Sequence, residues 1–178
     1  VAAGKNVRVI VGPYEHHSNI LPWRESGAEV VEIDEAAEGG PELGQLQEAL
    51  RDTAYDLTVC TMSAASNITG IRSDVLQITR MVKAAGAKMV WDYAGAGPYV
   101  PINMSAGVGA DIDAIALSPH KFIGGPGASG LLIVRRDSVA TGKPSWPGGG
   151  TVKFVSSQWH DYLDNVEART GKSAEALR

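Results

Sequence analysis

Four polar clusters in this sequence directly follow apolar runs: Tyr14-Glu15-His16-His17, Ser66-Asn67, Asp92-Tyr93 and Ser118-Pro119-His120-Lys121. Two of them hold groups of complementary chemistry. Asp92 ends the stretch "KMVW", and a carboxylate there is costly unless a cation or several donors meet it. A helix cap or a salt bridge would be its plain structural roles. Lys121 stands between an apolar run and the glycine-rich "GGPGASG". Taken alone, a lysine is a surface group; as a nucleophile it must lose its proton near neutral pH, which desolvation or a nearby cation allows. An acid and an amine at separate strand ends meet the need of pyridoxal phosphate. The lysine carries the aldehyde as a Schiff base, and the acid keeps the ring nitrogen protonated so that the ring withdraws electrons. Ser118 and His120 can supply donors to the phosphate, and the bare glycine loop permits close backbone approach. That loop lacks the lysine of a G-x-x-x-x-G-K-[S/T] pattern, and no G-x-G-x-x-G follows the first strand. A nucleotide-binding α/β domain without pyridoxal chemistry is the reading those patterns would have marked.

The elements that must position these clusters are readable from periodicity. Short β-branched runs at 7–11, 28–33, 56–62, 87–92, 112–118 and 129–136 predict six strands. Between them, 41–51 places Leu43, Leu46 and Leu50 on one helical face, with Pro41 acceptable in the first turn. The stretch 73–86 predicts a helix capped by Ser73, carrying Val75, Ile78, Thr79 and Val82, and ended by Gly86. Strands apolar on both faces indicate an α/β three-layer sandwich with a mostly parallel mixed sheet, the last pair returning as a hairpin. In such sheets ligands bind beyond the carboxyl ends of the strands, where the four clusters fall. Residues 1–140 are read as the cofactor-binding unit and 141–178 as loop and polar tail.

The chain has 178 residues, 44% hydrophobic and 20% charged, with a net charge of −4. That balance suits a globular domain and recommends neither nucleic acid nor an anionic membrane as partner. The apolar runs are strand-sized, no charged-then-apolar leader opens the chain, and the single cysteine, Cys60, suits a reducing compartment. A cytoplasmic location is expected, with Cys60 as core packing and the triplets at Asn67 and Asn103 as chance glycosylation patterns.

In order along the chain, "EHHSNILPW", "SNITG", "VWDYAGA", "SPHKFIGGPGASGLLIV" and "WPGGGT" resemble the large domain of class V aminotransferase-fold enzymes, the group of cysteine desulfurases and selenocysteine lyases. The resemblance covers roughly residues 7 to 151. It implies a pyridoxal-phosphate-dependent transferase of fold type I, acting on an amino acid in a homodimer. By that resemblance His16 stacks on the cofactor ring and Asn67 bonds near its hydroxyl. Asp92 pairs with the ring nitrogen, Ser118 and His120 hold the phosphate, and Lys121 forms the Schiff base. Thr151 would reach the phosphate in the partner subunit, and His17 has no assigned role.

Two departures stand out. Desulfurases of this family carry glutamine three positions after the aspartate, where this chain has Gly95, which suggests a different branch. The family's upstream Gly-Thr phosphate loop, its small domain with the substrate-gripping arginine, and its mobile-loop cysteine are not found in these 178 residues. A second reading is therefore a domain that folds and binds cofactor or a partner chain without turnover.

Overall fold

The computed structural model describes residues 4–139, 143–144, 147–165 and 168. The expected boundary at 140/141 and the polar stretch 169–178 lie outside those residues. Eleven elements follow one another: β1 (Val7–Val11), α1 (Leu21–Arg24), β2 (Glu29–Glu32), α2 (Leu43–Arg51), β3 (Leu57–Ser63), α3 (Val75–Ala84), β4 (Lys88–Asp92), β5 (Ala114–Leu117), β6 (Leu131–Val134), β7 (Val152–Val155) and β8 (His160–Tyr162).

The first six strands form one sheet in the order β2-β1-β3-β4-β5-β6. Neighbours from β2 to β5 are parallel, and β6 returns antiparallel to β5. This is the mostly parallel mixed sheet expected from the apolar runs. Alternation along each strand sorts the side chains to two faces. Ile10, Cys60, Met62, Met89, Trp91 and Ile115 share one buried cluster with Leu46 of α2 and Ile78 and Val82 of α3. Within it the Trp91 indole N–H donates to Thr79 Oγ1 at 2.9 Å. Cys60 is fully buried there, and burial pushes its thiol far up.

The opposite face presents Thr61 and Ser63, then Val90 and Asp92, then Ala114 and Ala116, paired across β3, β4 and β5. The segment running through a 3-10 turn (His17–Asn19) into α1 covers the β1–β3 side of that face, with Thr61 donating to Asn19 Oδ1 at 2.9 Å. Helices thus flank the sheet on both sides. Edge strand β6 remains open, Leu132 being 60% exposed.

Two local expectations need correction. The cap of α3 is Asp74, whose Oδ1 accepts from the Gln77 amide at 2.9 Å, while the Ser73 hydroxyl donates to the Ser63 carbonyl. The stronger acceptor took the helix end, and the serine took the sheet. Helix α2 is capped by Glu42, which leaves Pro41 outside the first turn. The polar tail also contains the β7–β8 hairpin, with Phe154 and Trp159 in ring contact at 5.8 Å. The alternating "TVKFV" was its signal.

Candidate functional site

A cleft of about 490 Å³ opens at the carboxyl end of the sheet, within the range of small-molecule sites. Its floor is Val90 and Ala116, flat and apolar, and its walls carry His16, Asn67, Asp92, Ser118, His120 and Lys121. The four strand-end clusters therefore converge on one space, as expected of an open α/β sheet.

Each wall residue is placed by a local device. Asp92 closes β4, and one of its oxygens accepts from the Ala94 amide at 2.6 Å. The other has no hydrogen-bond partner among the described residues. Ser118 and Pro119 start a 3-10 turn (Pro119–Lys121) in which the Lys121 amide bonds the Ser118 carbonyl at 2.9 Å. This turn swings Lys121 from β5 to the cleft rim, where its side chain is exposed. The loop beyond needs its glycines. A Cβ on Gly125 would lie 2.0 Å from the Pro119 carbonyl oxygen, and Gly124 has φ +80°. The backbone folds tightly against the turn that holds the lysine.

His16 precedes the 3-10 turn over the β1 end. Its Nδ1 accepts from the Ser18 amide at 3.2 Å, and its ring lies 5.7 Å from that of His17. Asn67 reaches the cleft because the neighbouring Ser66 closes the turn, its hydroxyl accepting from the amides of Ile68 and Thr69. An Asx-turn by Asn67 is thus not the local arrangement. Tyr14 turns away, donating to Glu35 at 2.7 Å and accepting from the Gly40 amide. Thr151 does not line the cleft. It is buried beside the β7–β8 hairpin, its hydroxyl donating to the Gly148 carbonyl at 2.7 Å.

Sequence reasoning passed over Glu15 and Asn19. Glu15 Oε1 accepts from the Ser63 amide at 2.6 Å, and Oε2 accepts from Asn19 Nδ2 at 2.5 Å and the Ser63 hydroxyl at 3.0 Å. Asn19 in turn accepts from the Thr61 hydroxyl and the Trp23 indole. Burial pushes the Glu15 carboxyl up, its three donors pull it back, and the nearby Asp92 charge adds to the rise. A signal existed in Ser63, a polar end to the run "LTVCTM".

The donor set fits a planar, anionic, aldehyde-bearing heterocycle. An acid and an amine share one cleft, with hydroxyl and imidazole donors at its rim and an apolar floor between them. At Gly95 an added Cβ would meet nothing nearer than Asn67 Cβ at 3.7 Å, so the wall there is open.

Comparisons with known proteins give the chain a family and a fold. The family described as "Aminotransferase class-V" matches residues 2–173. The chain is 35% identical to a cysteine desulfurase of Enterobacter sp., over 85% of this chain and 36% of that protein. It is 31% identical to a probable cysteine desulfurase of Aeropyrum pernix, over 95% of this chain and 42% of that protein. Among solved structures, an apo cysteine desulfurase from Thermococcus onnurineus superposes with a TM-score of 0.78 at 26% identity, over 93% of this chain and 40% of that one. The chain thus spans about two fifths of the length of the relatives it matches. Gly95, which suggested a different branch, does not prevent matches to proteins named as cysteine desulfurases.

Proposed function

Since this chain belongs to the class V aminotransferase family, we propose that it forms the cofactor-holding core of a pyridoxal-phosphate-dependent enzyme acting on an amino acid. Transamination and cleavage of cysteine or selenocysteine are the reaction types this proposal covers. The observation that carries it is the convergence of Asp92 and Lys121 on one cleft with an apolar floor. Bound there, the cofactor supplies an electron sink for bonds at the amino acid's α-carbon.

The residues divide the remaining tasks. Asp92 would hold a proton-bearing ring nitrogen with the oxygen that no described residue engages. His16, Val90 and Ala116 would pack against the ring, and Asn67 would hydrogen-bond to it. Ser118 and His120 bind the phosphate at the rim. Lys121 would hold the cofactor's aldehyde through Nζ, and the same amine would take and return a proton at the substrate's α-carbon. The proposal includes a cytoplasmic homodimer in which Thr151 would serve the partner's phosphate site once its hydroxyl leaves the Gly148 carbonyl, the open β6 edge being apolar surface that association would cover.

The test is direct. Pyridoxal phosphate added to the purified chain should give a visible band, and borohydride should fix the label on Lys121. Lys121→Ala should abolish both. No band, or label spread over surface lysines, overturns the reading. A second reading has its own support: no arginine lines the cleft among the described residues, so a substrate carboxylate has no partner there. Under it the domain holds cofactor without turnover. Loss of the band on adding amino acids separates the two.

A further inference from the structure

The proposed chemistry leaves one charged group of the strand ends without a task. Glu15 sits immediately before His16 and is joined to Ser63, and Ser63 is the register partner of Asp92 on the adjacent strand. The two carboxylates therefore lie beside neighbouring strand ends, Asp92 lining the cleft and Glu15 held by the lining residues Ser63 and Asn19, near enough for the Asp92 charge to act on it. Among the described residues no lysine or arginine forms an ion pair with either.

The hydrogen bonds around Glu15 suit its anion. Oε1 faces a backbone N–H, which cannot turn into an acceptor. Oε2 faces Asn19 Nδ2, and Asn19 cannot flip because its oxygen already accepts from the Trp23 indole, a group that only donates. Three donors thus converge on the two oxygens, an arrangement that suits an anion, while the Ser63 hydroxyl is able to accept as well as donate. A glutamine at this position would set its NH2 against the Ser63 amide or Asn19 Nδ2 in either orientation. The titratable groups facing Glu15 from packed elements are Asp92 at the end of β4 and Cys60 on β3. Neither supplies positive charge, and the 3-10 turn offers the neutral Asn19.

We propose that Glu15 is a positioning residue for the cofactor, a second anion whose charge, set beside the strand end that carries Asp92, favours the protonated ring nitrogen in the cleft. The inference rests on the pyridoxal-phosphate reading of that cleft. A cation at the ring nitrogen offsets the repulsion between the two carboxylates, and Glu15 also ties the segment bearing His16 to the end of β3. The raised pKa of Glu15 agrees with an anion held at a cost that such a cation would relieve.

The experiment compares pyridoxal phosphate with its 1-deaza analogue, in which carbon replaces the ring nitrogen while aldehyde and phosphate remain. Both are titrated into the wild-type chain and Glu15→Gln, with binding read from absorbance. Glu15→Gln should weaken pyridoxal phosphate by about tenfold more than the analogue, because a charge beside Asp92 acts on the nitrogen alone. Equal weakening of both ligands, as from a displaced loop, or no weakening of either, overturns the inference and leaves the cofactor reading intact. A wild-type chain that takes up neither ligand overturns the cofactor reading and this inference with it. A measurement on the wild-type chain keeps the proposal open to refutation if Glu15→Gln does not fold. The 13C shift of the Glu15 carboxyl should titrate at lower pH with pyridoxal phosphate bound, and not with the analogue. An unmoved midpoint, or a carboxyl still protonated at neutral pH in the loaded chain, overturns it.

Discussion

At the amino end of the sheet Asp113 is met by Lys83 at 2.6 Å, Lys88 at 2.9 Å, the Met89 amide and the Ser138 hydroxyl. At the carboxyl end of the same ladder Asp92 is met by one backbone amide. Arg8, also at the amino end, repeats the closed pattern, bonded to Glu29, Asp52, the Tyr55 hydroxyl and the Ala49 carbonyl with the Tyr55 ring 4.1 Å away. Buried charge at one end is neutralised within the chain, and charge at the other is left facing a cleft. Charges satisfied internally stabilise the fold. Charges left partly satisfied are available to a guest, and the sheet separates the two roles by its direction.

The largest effect that could break this contrast is at the closed end. Asp113→Ala leaves two lysines without their buried partner and should cost roughly 3 kcal/mol in denaturant unfolding. Uptake of pyridoxal phosphate by the folded variant should be unchanged. A variant as stable as the wild type, or one that folds and loses the cofactor, would erase the division between the ends.

Acid gives the next effect. Burial pushes the Asp113 carboxyl up, but the Lys83, Met89, Lys88 and Ser138 donors outweigh it and hold the group at about 2. A lowered pKa contributes stability that is complete above the unfolded value, near 3.9, and is lost as pH falls towards 2. The loss should amount to on the order of 2 kcal/mol and should be missing from Asp113→Ala. Glu15, displaced in the other direction, opposes it: its contribution is present at low pH and is lost as pH rises, so it resists acid unfolding. An acid transition of equal depth in both proteins would remove Asp113 as its source.

The two ends were not equally legible. The six strands, the antiparallel return of β6 and the position of Asp92 and Lys121 follow from local signals, namely apolar runs and the polar residue that ends each. The closed networks do not. Glu15 meets Ser63 across 48 positions, and Lys88 meets Asp113 across 25, spacings that carry no periodic mark. A charge that pairs inside the chain has its partner anywhere, whereas a charge meant for a guest is visible as an orphan at a strand end. That asymmetry explains why the wall residues of the cleft could be named while the network behind them was passed over. Local competition explains the displaced cap of α3, since Ser73 and Asp74 both cap well and the Ser63 carbonyl decided between them.

At the open end, Asp92→Asn should reverse the behaviour of Asp113→Ala. With a single amide to lose, its stability should lie within about 0.5 kcal/mol of the wild type. Affinity for pyridoxal phosphate should fall by about tenfold or more, or 1.4 kcal/mol, once the ring nitrogen loses its charged partner. Absorbance titration beside a denaturant melt reads both. A large fall in stability with intact binding would place Asp92 among the structural charges and dissolve the contrast.

Gly95 offers the smallest and sharpest comparison, since it asks whether the open end tolerates added bulk. Its Cβ would meet only Asn67 Cβ, at the ordinary contact distance of 3.7 Å, and its φ is not in the left-handed region. Gly95→Ala should therefore change stability by no more than about 0.5 kcal/mol, and in the favourable direction if the unfolded chain loses freedom. Gly95→Gln would place a carboxamide on the wall between Asn67 and Asp92, within the same cleft. It should leave the melt unchanged and alter the affinity for pyridoxal phosphate a few-fold, the scale of one net hydrogen bond. A destabilised alanine variant would mean that the wall at Gly95 is already packed, and that the cleft is smaller than its lining residues define.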